Sequence, residues 1–597
     1  MSILSALACA YDHLPEAPPY GFSAERISFV ISLNEDGSVA NIIDIRDGSG
    51  KKKTPKRMEV PQGAKRASGI APNFLWDKTA YVLGITAVEG NRTAQQHAAF
   101  VERHLSALEG TVDAGLRALF LFLKSWTPEQ FLPPMWPDDM RDHNVVFALE
   151  SERLSGNLHD RPAARELWTK RGTKTDGPQV QCLVSGRKGP LALLHPSIKG
   201  VWGAQSAGAS IVSFNLDAFT SYGHEQGENA PVSEVSVFKY TAALNHFLAQ
   251  GSRHRLQIGD ASIVFWAEAP DRALAAEAES FFSNWFSDAA VEGADEDTAD
   301  AGRATSEKQS AKLVGDKLKQ MRQGLPLVKI APELDDGVRF YVLALAPNAA
   351  RLSVRLWLES DFGALAENYR HYLEDMRLEP MPDAIVGAPF WRLLIEVAVL
   401  GKRENVPPRL AGEWLRAMLT GEAYPRSLVA TVLMRLRADR RVSPLRVAIL
   451  KAILIRDCKM EVPVAFDVEN KNRGYLLGRL FAVYEEVQRA ALGNNVNATV
   501  KDKFYGSASA QPRSVFAVLD RGSAYHLSKA GKVSPGRRIN LEKKITEIMA
   551  LMAPDQDPFP ASLPVVEQAL FALGYYHQRA TFFTHSAKTT ADEGHDQ

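Results

Sequence analysis

The hydrophobic pattern opens with two short runs of alternating or continuous apolar residues on either side of a turn. RISFVISL (Arg26 to Leu33) is β-branched and aromatic, Asn34-Glu35-Asp36-Gly37 has turn chemistry, and SVANIIDIRD follows as a second strand, together predicting a β-hairpin. Helical spacing then takes over. The segment from Asn91 places Ala98, Val101, Leu105 and Leu108 on one face, a second helix is predicted over about Thr111 to Lys124, and Thr127-Pro128-Glu129 reads as a cap with proline at the first helical position. HNVVFALE (His143 to Glu150) returns to strand character. The glycine-rich stretch Ser185 to Gly223 contains two runs, Leu191 to Leu194 and Ile211 to Phe214, that read as buried structure. Pro231 to Gln250 is an amphipathic helix with Val235, Phe238, Ala242 and Leu248 along one side; SIVFWAEA (Ser262 to Ala269) is a strand and DRALAAEAESFFSNWF a helix. Phe281, Phe282, Trp285 and Phe286 fall at helical spacing and are expected in a core.

RFYVLALA (Arg339 to Ala346) and RLSVRLWLE (Arg351 to Glu359) continue the strand signal. From about Met381 it fades. Leu393 to Leu400, Arg409 to Leu419, Ser427 to Arg437, Leu445 to Ile455, Tyr475 to Leu492 and Leu541 to Met552 all read as helices, and Tyr575-Tyr576-His577-Gln578-Arg579 as part of a packed terminal one. The fold class is therefore α+β: an N-terminal mixed α/β region with hairpins, then an all-helical C-terminal bundle. The expected divisions are an N-terminal region over 1–287, an acidic linker or disordered insertion over 288–310 that is nearly free of large apolar residues, an α/β continuation over 311–380, and the bundle over 381–597.

Composition narrows the class without naming a function. The 597 residues, 45% hydrophobic and 23% charged, are those of an ordinary soluble multidomain protein. Cys9, Cys182 and Cys458 are too far apart for a CxxC zinc site and argue against a disulfide framework, which fits a reducing cytoplasm. No apolar run approaches the ~20 residues of a membrane span. The N-terminal stretch lacks a basic n-region and meets Asp12 early, so it reads as a first helix packed on the core.

Lys+Arg and Asp+Glu both number 70, so any case for an anionic partner rests on local charge. The charge is segregated. From Gly48 to Arg66 seven cations (Lys51, Lys52, Lys53, Lys56, Arg57, Lys65, Arg66) face one anion, Glu59. Thr431 to Lys459 carries eight Lys/Arg against two acids, and Arg521 to Lys544 seven against one. Glycine and proline interrupt the first of these, which predicts an exposed loop hanging from the hairpin. Composition alone leaves a solvated loop and a phosphate-binding loop equally open. Directly behind it, Pro72-Asn73-Phe74-Leu75-Trp76 offers an amide and aromatic rings for base-edge or stacking contacts.

Catalytic motifs are sparse. Ala204-Gln205-Ser206-Ala207-Gly208 approaches the G-x-S-x-G elbow, but an elbow needs a strand before the serine and a helix after it, and here strand character follows. A serine hydrolase using Ser206 is thus the weaker reading; a glycine-rich turn whose N–H groups contact an anion is the stronger. His159-Asp160 lacks further metal ligands, and His246 and His254 lack an acidic companion in sequence. There is no phosphate-binding G-x-x-x-x-G-K-[ST] loop and no HExxH. The chain reads as a binder with no cofactor or metal, and not as an enzyme.

Six stretches resemble the large subunit of the type I-C CRISPR surveillance complex (Cascade): IIDIRD with the basic loop; KRASGIAPNFLWDKTAYVLG; GAQSAGASIVSFNLDAFTSYGHEQGENAPVSEVSVFKYTAALNHFL; IGDASIVFWAE; NRGYLLGRLFAVYEEVQRAALG; and LGYYHQRATFF. The resemblance spans essentially the whole chain. It implies a non-catalytic subunit at the 5′-handle end of the CRISPR RNA, beside the backbone and handle-binding subunits. Such a subunit reads the protospacer-adjacent motif (PAM) in double-stranded DNA, helps open the duplex and recruits a helicase–nuclease. It also implies small subunits translated from an internal start, for which Met460 is a candidate by position. On this reading Lys51, Lys52, Lys53 and Lys56 touch phosphate, Lys65 and Arg66 anchor phosphates beside them, and Asn73 reaches a base edge. Gln205 and Ser206 form a second nucleic-acid contact. Lys317 and Lys319 guide separated strands, and Arg437, Arg441 and Arg538 hold the displaced single strand. A purely structural assembly scaffold is the alternative.

Overall fold

In the computed structural model of the chain, the described residues are 1–14, 18–48, 53–63, 66, 69–88, 90, 92–172, 178–286, 313–493, 496–553, 555 and 557–592. The expected acidic insertion over 288–310 lies outside them. Two compact units result: Met1–Gly200 with Gln205–Ala249, and Val201–Ala204 with Gln250–Gln597. Contacts thus group residues 250–286 with the second unit, whereas the pattern of the sequence groups them with what precedes.

The first unit begins with α1 (Ile3–His13), whose Ala6 and Leu7 are buried. What reads in sequence as one strand, RISFVISL, is two: β1 (Phe22–Ile27) and β2 (Phe29–Leu33) part at Ser28, whose N–H donates to the Asn144 carbonyl. β2 forms the expected hairpin with β3 (Val39–Asp44), pairs in parallel with β6 (Asn144–Leu149), and β6 pairs with β5 (Trp76–Lys78), giving the order β3-β2-β6-β5. Phe29, Ile31, Leu33, Val145, Phe147 and Leu149 share one core with Phe100 and Leu108 of α3 (Thr93–Leu108) and Leu116, Leu119 and Phe122 of α4 (Ala114–Ser125). The short helix α2 (Thr79–Val82) links β5 to this layer. Val30, Val146 and Ala148 point the other way and meet Ile27 and Val60 of a two-stranded ribbon, β1 against β4 (Lys56–Pro61). Burial on both faces explains the unbroken apolar runs of β2 and β6.

The unit is completed by α5 (Pro162–Gly172), the small ribbon of β7 (Gln179–Gln181) and β8 (Lys188–Pro190), and α6 (Glu234–Phe247). The α6 face differs from expectation: Val237, Phe238, Tyr240, Leu244 and Phe247 are buried, and Val235 is exposed. Ile211 to Phe214 forms bends and no strand, and of Leu191 to Leu194 only Leu191 and Ala192 are buried. Leu191 makes a lone antiparallel bridge with Ser233, and the Ala192 N–H donates to the Val232 carbonyl at 3.0 Å.

The second unit contains an antiparallel meander in the order β12-β11-β10-β9, built from β9 (Arg255–Ile258), β10 (Ala261–Glu268), β11 (Arg339–Asn348) and β12 (Arg351–Asp361). Between β10 and β11 lie α7 (Arg272–Asn284), α8 (313–322), α9 (Leu327–Ile330) and α10 (Pro332–Asp335). Phe281, Phe282, Trp285 and Phe286 are in the core, as their spacing predicts. Helices follow without further strands: α11 (Phe362–Asp375), α12 (Phe390–Val397), α13 (Pro408–Thr420), α14 (Arg426–Asp439), α15 (Pro444–Arg456), α16 (Arg473–Leu492), α17 (Val500–Ala508), α18 (Pro512–Val533), α19 (Pro535–Ala550) and α20 (Val565–Asp592). The α+β class with a helical C-terminal part is as the pattern predicts; α11, α17 and the 22-residue α18 are additions to it. At the centre α16 and α20 touch backbone to backbone. A Cβ on Gly478 would lie 2.1 Å from the Phe571 carbonyl oxygen, and one on Gly574 2.1 Å from that of Tyr475. Only glycine permits that approach.

Candidate nucleic-acid interface

The basic segment is half strand, not a continuous loop. Lys56 and Arg57 open β4, which pairs with β1 through Ile27↔Lys56 and Arg26↔Arg57. The ribbon is pinned from below by Ile27, Met58 and Val60 and at one end by α5, where Trp168 Nε1 donates to the Gly21 carbonyl at 2.7 Å and the Arg165 guanidinium lies over Phe22. At the other end Arg26, Lys53, Lys56 and Arg57 are exposed. Lys51, Lys52 and Lys65 lie outside the described residues.

Three of the acids near this end, Asp44, Glu25 and Glu59, are ion-paired with other cations, while exposed Asp47 bridges Thr54 through its backbone. Asp44 receives the Arg46 guanidinium at 2.8 Å and Lys53 Nζ at 2.6 Å, and these bonds, the arginine's foremost, hold its carboxyl well below the usual range. Arg46 also reaches Asp139 at 2.6 Å. Glu25 pairs with Lys199 at 3.0 Å and Glu59 with Arg165 at 3.2 Å. Lys53 is thus partly neutralised, while Lys56 and Arg57 keep their charge towards solvent.

The segment behind the cations is a buried clasp. Arg66 donates to Asp77, lies with its guanidinium 4.0 Å from the Tyr81 ring centroid, and gives Nε–H to the Ala71 carbonyl at 2.7 Å. Asp77, 1% exposed, also accepts the N–H groups of Asn73 and Lys78, each at 2.8 Å. Burial raises its pKa and Arg66 works against that shift. Leu75 stands at φ +63°, a left-handed conformation rare for a branched side chain, with its N–H on His104 Nε2 at 2.9 Å. His104 Nδ1 meets the Phe100 carbonyl at 2.8 Å, which leaves Nε2 as the acceptor. Arg103 donates to the Pro72 carbonyl and Trp76 Nε1 to that of Pro61 at 2.7 Å.

Two expectations change accordingly. Asn73 is 5% exposed, its Oδ1 against Gly63, so its amide belongs to the framework of the clasp and not to its surface. Arg66 is engaged inward and holds Asp77. Beside it opens a cleft of about 510 Å³ lined among others by Arg66, Lys78, Arg92, Thr93 and Asp142.

The remaining candidates are scattered. Gln205 and Ser206 are exposed in a turn closed by Gly208 N–H on the Gln205 carbonyl at 2.8 Å. A Cβ on Gly208 (φ +91°) would meet the Ile198 carbonyl oxygen at 2.8 Å. No strand enters Ser206 and no helix leaves it, so an elbow is not formed. Lys317 is held between Glu277 at 2.5 Å and Glu333 at 3.2 Å, and Lys319 is exposed. Arg437 is exposed and donates to Gln568, Arg441 is exposed 3.7 Å from Glu396, and Arg538 bonds Glu542 at 2.8 Å. Among the described residues no group of three His, Cys, Asp or Glu is placed to hold a metal ion, and no helix is long and apolar enough to cross a membrane.

Sequence reasoning missed Arg26. Its significance comes from the β1–β4 register, which joins residues some thirty positions apart, and no local pattern encodes that pairing.

What the fold and surface define is an α+β protein whose N-terminal sheet presents an exposed cationic end. The chain belongs to a family described as CRISPR-associated protein (Cas_Csd1), whose model matches residues 7–583. No curated protein matches it.

Proposed function

We propose that this chain is the non-catalytic large subunit of a type I-C CRISPR RNA-guided surveillance complex. It sits at the 5′ handle of the CRISPR RNA with the backbone and handle-binding subunits and reads the PAM in duplex DNA. It then aids strand opening and offers a surface to the helicase–nuclease. Family membership supports the CRISPR setting. The observation that carries the DNA-binding part is the cationic end of the β1/β4 ribbon, where Lys56 and Arg57 face solvent while Asp44, Glu59 and Glu25 are paired with other cations. Such an array attracts phosphate regardless of sequence. Sequence reading then falls to the segment of Asn73 behind it and to the Gln205–Ser206 turn. Exposed Lys319, Arg437, Arg441 and Arg538 contact single strands non-specifically. A start at Met460 would give a small subunit comprising α16 to α20.

The test is neutralisation of Lys51, Lys52 and Lys53 to Ala in the assembled complex. Duplex affinity should fall for every PAM and the salt dependence should flatten. Unchanged affinity and slope would favour a scaffold that does not touch DNA here.

A further inference from the structure

The β1/β4 register sets two arginines directly opposite each other. Arg26 and Arg57 are cross-strand partners, both exposed, on the ribbon face that also carries Ala24 and Glu59. Directly opposed residues have Cβ atoms about 4.5–5.5 Å apart, and like charges so placed destabilise the sheet. Proteins ordinarily relieve such a pair with a carboxylate. Here three nearby carboxylates are engaged elsewhere: Glu59 with Arg165 at 3.2 Å, Glu25 with Lys199 at 3.0 Å, and Asp44 with Arg46 at 2.8 Å and Lys53 at 2.6 Å. Among the described residues no carboxylate forms an ion pair with either guanidinium. The backbone beneath is fixed, since the Arg26 carbonyl accepts from Asn144 Nδ2 at 2.9 Å and the next residue, Ile27, is fully buried. The repulsion is therefore held in place by the fold.

We propose that Arg26 and Arg57 form a two-guanidinium clamp for a single phosphodiester of duplex DNA. Each planar fork presents paired N–H donors that match phosphate oxygens, and one anion between the two cancels their repulsion. Lys56, paired across the ribbon with buried Ile27, is on the opposite face at the strand's end and is not part of the clamp. The clamp rests on the reading of the chain as a duplex-DNA binder and names where on the ribbon the backbone is gripped.

The full-length chain carrying Arg26→Gln, Arg57→Gln, both changes, or Arg26→Glu separates the outcomes. In the free protein each Gln variant should unfold at the wild-type temperature or above it, and Arg26→Glu above it, because a repulsion is removed or replaced by an attraction. A fall in melting temperature in both Gln variants would mark the arginines as structural and overturn the clamp. With a fluorescent duplex titrated between about 50 and 200 mM salt, each Gln variant should bind about tenfold more weakly at the low end. The double variant should lose about 0.9 of salt slope, or ~3.5-fold less affinity change across that range, because one phosphate is lost. A loss of about 1.8 would mean two separate phosphates and refute sharing. Variants that bind as wild type does, with the same slope, refute the clamp alone. Wild-type chain that shows no salt-dependent duplex binding refutes the underlying reading, and the clamp with it.

Discussion

Replacing Arg66 by alanine separates a clasp from a phosphate ligand. In the folded protein Arg66 is the cation on Asp77, a carboxylate only 1% exposed that also accepts two backbone N–H groups. Removing one partner of a fully buried ion pair costs about 3–5 kcal/mol. Because the Arg66 side chain is 26% exposed, solvent screens part of the pair, and about 2–3 kcal/mol is expected. For a unit of this size that lowers the melting temperature by roughly 5–10 °C. The pH dependence has a definite sign. Burial raises the Asp77 pKa above its unfolded value, so its neutral form favours folding, and losing Arg66 raises that pKa further. The deficit should be largest at pH 7 and shrink as pH falls through the raised pKa. Asp77→Asn added to Arg66→Ala should recover part of the loss. Thermal unfolding with hydrogen exchange over residues 71–78 follows the clasp, and duplex titration follows the interface. Stability unchanged in Arg66→Ala, with a salt slope shallower by about 0.9, would refute the inward role and restore Arg66 as a phosphate contact.

Other expectations follow from the same geometry. Lys56→Gln should reduce the salt slope by about 0.9, and Lys53→Gln by less, because Asp44 already neutralises Lys53; equal losses in duplex titration would contradict this ranking. Gly478→Ala forces a methyl into the Phe571 carbonyl and should destabilise the helical part by about 1–3 kcal/mol or more in denaturant unfolding, with wild-type stability contradicting the close approach of α16 and α20. Burial pushes the Glu279 pKa up to about 7, so this group's contribution to stability is full below about pH 4.5 and is lost as pH rises through about 7. Glu279→Gln should flatten that part of the pH–stability curve of the second unit, and a curve unchanged in shape would refute the assignment.

Much of the fold is legible in the sequence where burial and period agree. The β2–β3 hairpin, the strands β6, β10 and β11, and the helices from α12 to α16 follow from apolar runs whose period and length match the element each one forms. What local pattern does not reveal depends on distant pairing. Lys56 and Arg57 lie in a strand because β1, far earlier, offers its edge, and the same pairing makes Arg26 part of the site. Asn73 and Arg66 look like surface polar residues in sequence, yet the Asp77 carboxylate and the Arg103 guanidinium draw the segment inward. Val235 misleads because α6 is buried over most of its circumference, which weakens the contrast between its faces.

On the proposed function, this chain reads a short motif in duplex DNA for a CRISPR RNA-guided complex. The most direct measurement assembles the complete complex with its CRISPR RNA and selects bound duplexes from a library with a matched target and randomised flanking bases. A short flanking motif should be enriched, with total binding reduced but the motif unchanged when Lys56 and Arg57 are neutralised together. Recovery of flanks without any sequence preference, at wild-type affinity, would contradict it.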